Sequence, residues 1–170
     1  DLRVVWHPFT QAKTASAPIP VVRAEGVWLV AEDGKRYLDA NSSWWTNIHG
    51  HGNPVMANAI RDQFLELDHV IFAGVTHPRA VELATQVLGQ MGGNWHKAFF
   101  SDNGSTAVEV AIKMVYQFWF NQGTPKKRFL ALDGAYHGDT FGAMSVGQRG
   151  NFNQPFEHLF FDVDFLDFPA

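Results

Sequence analysis

The chain of 170 residues contains no cysteine. That excludes disulfides, thiolate metal ligands and a cysteine nucleophile, and it suits a reducing compartment. Positive charge is scarce as well: 13 Lys and Arg stand against 17 Asp and Glu, for a formal net charge of −4. A nucleic-acid surface needs a clustered basic excess, and the longest basic run here is Lys126-Lys127-Arg128. No apolar run approaches the ~20 residues of a membrane span, and the opening residues do not read as a signal peptide. The expectation is a cytoplasmic protein with neither nucleic acid nor membrane as a partner. A Walker loop, a G-x-G-x-x-G fingerprint and a G-x-S-x-G elbow are all missing. Nucleoside triphosphate, dinucleotide and serine-hydrolase readings therefore lose their support.

What is present describes a folded α/β protein. Apolar residues make up 46% and charged residues 18%, enough to build a real core. Residues 1–19 read as irregular. Val21-Val22 and Val27 to Val30 read as strands around Gly26, and Asp33-Gly34 as a hairpin turn into Arg36-Tyr37-Leu38, which makes residues 20–40 an antiparallel meander. Asn41 to Asn53 shows no clean period. Helices are expected over 54–67, from Pro78 to Gly92-Gly93, and from Ser105 to Gly123. Ala98-Phe99-Phe100 and Arg128 to Leu132 read as strands, and the alternation implies a mostly parallel sheet. Glu109 and Lys113, one turn apart, read as a surface ion pair. Both ends read as cut: the chain opens on Asp1, and six phenylalanines lie between Phe152 and Phe168. The alternative for that last segment is a strand folded into the core.

The chemistry concentrates in two places. Asn103-Gly104-Ser105-Thr106 opens a helix directly after a short apolar segment. Amides of Gly104, Ser105 and Thr106, two hydroxyls and a helix dipole together suit a phosphate monoester. A plain helix cap by Asn103 or Ser105 is the competing account. Tyr136, in the turn Tyr136-His137-Gly138-Asp139-Thr140, stands where the carboxyl end of a sheet strand faces ligand. Its ring could lie flat on a cofactor ring; otherwise it is a core aromatic. His137 beside it is a candidate acid or base, or a structural turn residue. His49-Gly50-His51 has two imidazoles but no carboxylate at a recognisable ligand spacing, so no metal is expected.

Taken together, several segments resemble the class III, fold-type I aminotransferases that use pyridoxal 5'-phosphate. They are Trp6-His7-Pro8-Phe9-Thr10, Ser42-Ser43-Trp44-Trp45, Ile48 to His51, His69 to Phe72, Thr76-His77, Asp102 to Lys113 and Tyr136 to Ser145. The fold implied is the N-terminal segment plus the first half of a large three-layer α/β/α domain. Residues 1–50 would be the N-terminal segment with its meander, part of the small domain, and residues 51–170 the first part of the pyridoxal-phosphate domain. The resemblance implies cofactor binding by Gly104, Ser105, Thr106 and Tyr136, with Asp139 and His137 supporting. It implies substrate binding by Phe9, Trp44, Trp45 and Tyr136, and a homodimer contact in Phe72–His77.

The tryptophan pair and the long Tyr136–Ser145 run point, within that family, to members that aminate the ketone of 8-amino-7-oxononanoate in biotin biosynthesis. Phe9 stands where members using S-adenosylmethionine commonly carry tyrosine, so lysine is the alternative amino donor. A diamine, ornithine or GABA ω-aminotransferase is the rival activity. A non-catalytic, phosphate-binding half is the rival for these residues alone. The family's Schiff-base lysine and the aspartate that pairs with the pyridine nitrogen lie downstream. None of Lys13, Lys35, Lys97, Lys113, Lys126 and Lys127 stands in a matching context.

Overall fold

The computed structural model describes residues 1 and 3–169. They form two compact units, Asp1–Pro78 and Arg79–Ala170. The first is built on an antiparallel sheet of β1 (Val21–Glu25), β2 (Trp28–Ala31) and β3 (Arg36–Leu38) in the order β1-β2-β3. Glu25 faces Trp28, and Trp28 in turn faces Leu38, so the meander expected from the Asp33-Gly34 turn forms, with a register shift between Val21 and Arg23. Asp33 holds the turn by accepting from the Lys35 N–H at 3.0 Å. Val30 and Ala31 are buried. The Arg36 guanidinium lies 4.5 Å above the Trp28 ring, a cation–π contact that covers an exposed sheet face.

After β3 comes α1 (Ser42–Trp45), a single turn with positive φ at all four residues. α2 (Pro54–Glu66) follows. The Asn53 side chain caps it by accepting from Val55 and Met56 N–H, and Pro54 occupies the first turn, where no N–H is needed. Met56, Ile60 and Phe64, which recur at helical spacing along it, are all exposed, and Leu67 just past its end is half-buried.

The second unit carries α3 (Pro78–Met91, whose first residue belongs to the first unit), α4 (Gly104–Asn121), β4 (Phe129–Leu132), α5 (Phe141–Ser145), a 3-10 turn at Gln154–Leu159 and β5 (Val163–Leu166). β4 and β5 pair in parallel, with Phe129 opposite Val163 and Leu132 opposite Leu166. Parallel strands need a long crossover, and residues 133–162 supply it, carrying Tyr136 and α5 on the way. The C-terminal aromatic segment thus contributes a sheet strand, with Phe161 against Phe129 at 5.1 Å.

Two expectations need correction. Ala98–Phe100 joins neither sheet. Strand character depends on a ladder with a distant neighbour, which a local apolar pattern cannot supply. Glu109 and Lys113 do not pair among the described residues; Glu109 turns to a remote segment instead. Its Oε1 accepts from Thr140 Oγ1 at 2.6 Å, Gly142 N at 2.7 Å and Ala143 N at 3.2 Å. These are donors at the start of α5 that the helix itself leaves unsatisfied. At the other end of α5, Arg149 donates to the carbonyls of Met144 and Ser145 at 2.7 and 3.0 Å. Anion at the N-terminus and cation at the C-terminus match the helix dipole.

Replacing Glu109 by Ala in the full-length protein leaves partly buried amides without an acceptor, at a cost of about 1–3 kcal/mol. The expected result is a lower urea midpoint together with faster hydrogen exchange at Gly142 and Ala143. Unchanged exchange there would show that the carboxylate does not hold α5.

Candidate functional site

The corner at the start of α4 is organised by Asn103. Its Oδ1 accepts from Thr106 N at 3.0 Å, while Thr106 Oγ1 accepts from Asn103 N at 3.2 Å, a reciprocal capping box. The Thr106 hydroxyl also bonds the Asn103 carbonyl and Ser101. Thr106 was expected among the phosphate donors, but its amide and hydroxyl are engaged in the cap. The amides of Gly104 and Ser105 take no partner among the described residues. The capping account and the anion account are thus compatible, because they use different N–H groups of the same turn.

The Tyr136 turn is fastened to this corner. Ser105 Oγ accepts from Asp139 N at 3.2 Å, and Asp139 Oδ2 accepts from the Tyr136 hydroxyl at 3.0 Å. Gly138 lies so close to Ser105 that a Cβ there would overlap Ser105 Oγ and come within 2.9 Å of its Cα, at a φ of +117°. Only glycine fits that approach. A Cβ on Gly142 would overlap the Glu109 carboxylate in the same way. Tyr136 is 77% exposed, so it is not a core aromatic. Its hydroxyl pKa is raised above 10.0, chiefly by the hydrogen bond to Asp139, with burial and the Asp139 charge adding to it. The tyrosine therefore stays protonated, and donating, through the neutral range. His137 is half-buried, and Asp102 is exposed.

In the first unit the structure brings Phe9 and Trp44 together, with ring centroids 5.5 Å apart and a tilt of 59°. Phe9, Trp44 and Trp45 are 73%, 62% and 76% exposed, an apolar wall without cover. The backbone beneath it is unfavourable. Ser42, Ser43, Trp44 and Trp45 have φ of 51°, 49°, 60° and 65°. The left-handed region costs non-glycine residues about 1–2 kcal/mol each and is rarely visited in runs.

Asp39 offsets that strain, a role the sequence pattern did not suggest. Its Oδ1 accepts from Ser43 N at 2.9 Å, and its Oδ2 from Ser43 Oγ and His51 Nε2, each at 2.7 Å. These donors, first the Ser43 N–H, hold the Asp39 carboxyl below its ordinary value of 3.8. His51 is itself fixed by a two-way backbone pairing with Gly26, at 3.0 and 2.7 Å. The signal available in the sequence was an aspartate ahead of a serine pair and an imidazole, with His51 12 positions after Asp39. Elsewhere in this unit the Phe72 ring lies 5.3 Å from that of His77.

Comparison with known proteins places this geometry. The family model described as aminotransferase class-III matches residues 9–170. An adenosylmethionine-8-amino-7-oxononanoate aminotransferase of Synechococcus elongatus is 52% identical over 97% of this chain and 39% of its own length. Its namesake from Geobacter sulfurreducens is 46% identical over 95% and 36%. The crystal structure of the enzyme of that name from Methanocaldococcus jannaschii superposes with a TM-score of 0.91 at 35% identity, covering 98% of this chain and 39% of that one. An amine transaminase from an uncultivated Pseudomonas species, in its PLP-bound form, gives 0.81 at 33% identity, covering 98% and 38%. The chain thus spans well under half the length of these relatives.

Asp139→Asn in the full-length protein removes the charged acceptor, so the Tyr136 pKa should fall toward 10.0. In the parent, the bond holds below the ordinary tyrosine value and is lost as pH rises through the raised one. Titration of a ring-labelled Tyr136 by NMR reads this directly, and identical titration curves for the two proteins would contradict the bond.

Proposed function

Because this chain belongs to the class-III aminotransferases, we propose that it is the cofactor-binding part of a pyridoxal-phosphate enzyme that aminates 8-amino-7-oxononanoate to 7,8-diaminononanoate, a step of biotin synthesis. The observation that carries this reading is the joined pair of features in the second unit: the amides of Gly104 and Ser105, without a partner among the described residues, and an exposed Tyr136 tied to the same serine through Asp139. An anion seat beside a flat aromatic surface suits a phosphorylated heterocycle. When bound, pyridoxal phosphate serves as electron sink and carrier of the amino group.

The chain's own residues do the holding. Gly104 and Ser105 donate to the phosphate at the positive end of α4. Tyr136 lies against the ring, with stacking worth about 0.5–1.5 kcal/mol beyond burial. Asp139 keeps the Tyr136 hydroxyl pointed away from the ring face. Phe9, Trp44 and Trp45 serve as walls for the apolar chain of the oxononanoate, excluding water rather than hydrogen-bonding it. The covalent lysine and the pyridine-pairing aspartate belong to the longer protein. Homodimerisation through the Phe72–His77 segment, and a cytoplasmic location, complete the reading. Phe9 has no hydroxyl to offer an amino donor, which leaves S-adenosylmethionine and lysine both as candidates.

The full-length protein, supplied with pyridoxal phosphate and 8-amino-7-oxononanoate, should yield 7,8-diaminononanoate by mass spectrometry with one of those two donors. No product with either donor would reject the substrate assignment, and turnover of ornithine, GABA or another diamine instead would make it an ω-aminotransferase.

In the same protein, Gly138→Ala should weaken pyridoxal phosphate binding by roughly tenfold or more, since the added methyl forces the Tyr136 turn off Ser105. Equilibrium dialysis measures this, and an unchanged affinity would separate the turn from the cofactor seat.

A further inference from the structure

The first unit holds a device that the transamination reading leaves unused. Four successive left-handed residues, Ser42 to Trp45, carry the tryptophan pair. Nothing in their own chemistry favours that backbone: none is glycine, asparagine or aspartate. The turn closes on itself through Trp45 N to Asn41 O at 2.9 Å and Asn47 N to Ser42 O at 3.0 Å. The Asp39 carboxylate braces it from outside, taking both the amide and the hydroxyl of Ser43. It does so from a nearly buried position, 6% exposed, backed by a His51 that is 14% exposed. Three donors converge on two oxygens of one carboxylate, and the far side of the group is anchored to the sheet through Gly26. Local strain held by surrounding contacts is a mark of functional placement. Here the strained turn sets the Trp44 ring against Phe9.

We propose that Asp39, backed by His51, is a positioning residue for substrate specificity: it locks the left-handed turn that presents Trp44 to Phe9, and so sets affinity for the apolar chain of the acceptor. This rests on the reading of Phe9, Trp44 and Trp45 as walls of the acceptor tunnel. Asp39 does not touch the reacting atoms. Its loss raises KM for the oxononanoate and leaves the chemical step alone.

The test compares the full-length holoenzyme with its Asp39→Ala, Ser43→Ala, Trp44→Ala and Asp39→Ala/Trp44→Ala variants. KM and kcat for 8-amino-7-oxononanoate are measured, with Kd for the same compound from tryptophan fluorescence. Asp39→Ala should raise KM and Kd by roughly ten- to a hundredfold with kcat little changed. The double variant should be no weaker than Trp44→Ala alone, because the aspartate acts through that ring. Ser43→Ala removes one of the three bonds and leaves Asp39 in place, so it should give a smaller rise in the same direction even if Asp39→Ala fails to fold. Parent-like affinity in Asp39→Ala, or in Ser43→Ala where Asp39→Ala does not fold, overturns the proposal while a weakened Trp44→Ala keeps the tunnel. Independent, additive losses in the double variant overturn it too. Parent-like affinity in Trp44→Ala removes the tunnel reading and the proposal with it.

Discussion

The carboxylate of Glu109 accepts hydrogen bonds from Thr140, Gly142 and Ala143, residues 31 to 34 positions downstream. This junction folds the crossover between the parallel strands back onto the first turns of α4. Gly142 permits the approach, since any side chain there would strike Glu109. With α5 seated, Gly138 lies on Ser105, the Asp139 amide reaches the Ser105 hydroxyl, and the exposed Tyr136 is tied through Asp139 to the turn whose Gly104 and Ser105 amides have no partner among the described residues. The anion seat and the ring platform are therefore parts of one hydrogen-bonded construction.

The first unit uses the same physics. There the Asp39 carboxylate holds a backbone that the sequence disfavours, and the reward is the placement of aromatic side chains. In both units a partly or nearly buried carboxylate takes backbone N–H groups from a short helical turn, of four residues in α1 and five in α5. Charge-assisted bonds of this kind are stronger than neutral ones. They can fix an irregular segment that hydrophobic burial alone would leave free. The apolar faces of the helices do not serve this purpose: α2, α3 and α4 bury no side chain fully among the described residues.

Much of this was legible in local pattern. The Asp33-Gly34 turn fixed the hairpin, Pro54 and Pro78 marked helix starts, and Gly92-Gly93 marked an end, each because one residue type suits one backbone state. The helix start at Gly104 and Ser105 was legible because Asn103, a favourable cap, stands directly before the helical run. Asp139 was named as a support for Tyr136 only through the family resemblance, and the structure joins the two by a hydrogen bond. Part of what escaped was long-range. Glu109 looked like a surface residue, since its partners lie far along the chain and two of the three are backbone groups that leave no mark in sequence. Asp39 lay close in sequence to its partners Ser43 and His51, but an aspartate ahead of a serine and a histidine is too common a pattern to mark a brace. Thr106 was assigned to the ligand although its side chain completes a cap, a choice that only geometry can make. Ala98–Phe100 has strand composition but joins neither sheet.

The most direct measurement is a structure of the full-length protein with pyridoxal phosphate bound. The account requires phosphate oxygens within about 2.7–3.2 Å of the Gly104 and Ser105 amide nitrogens. It also requires the Tyr136 ring offset-stacked on the pyridine, its hydroxyl still donating to Asp139. A phosphate held by other donors, or a Tyr136 ring rotated away from the cofactor, would contradict it.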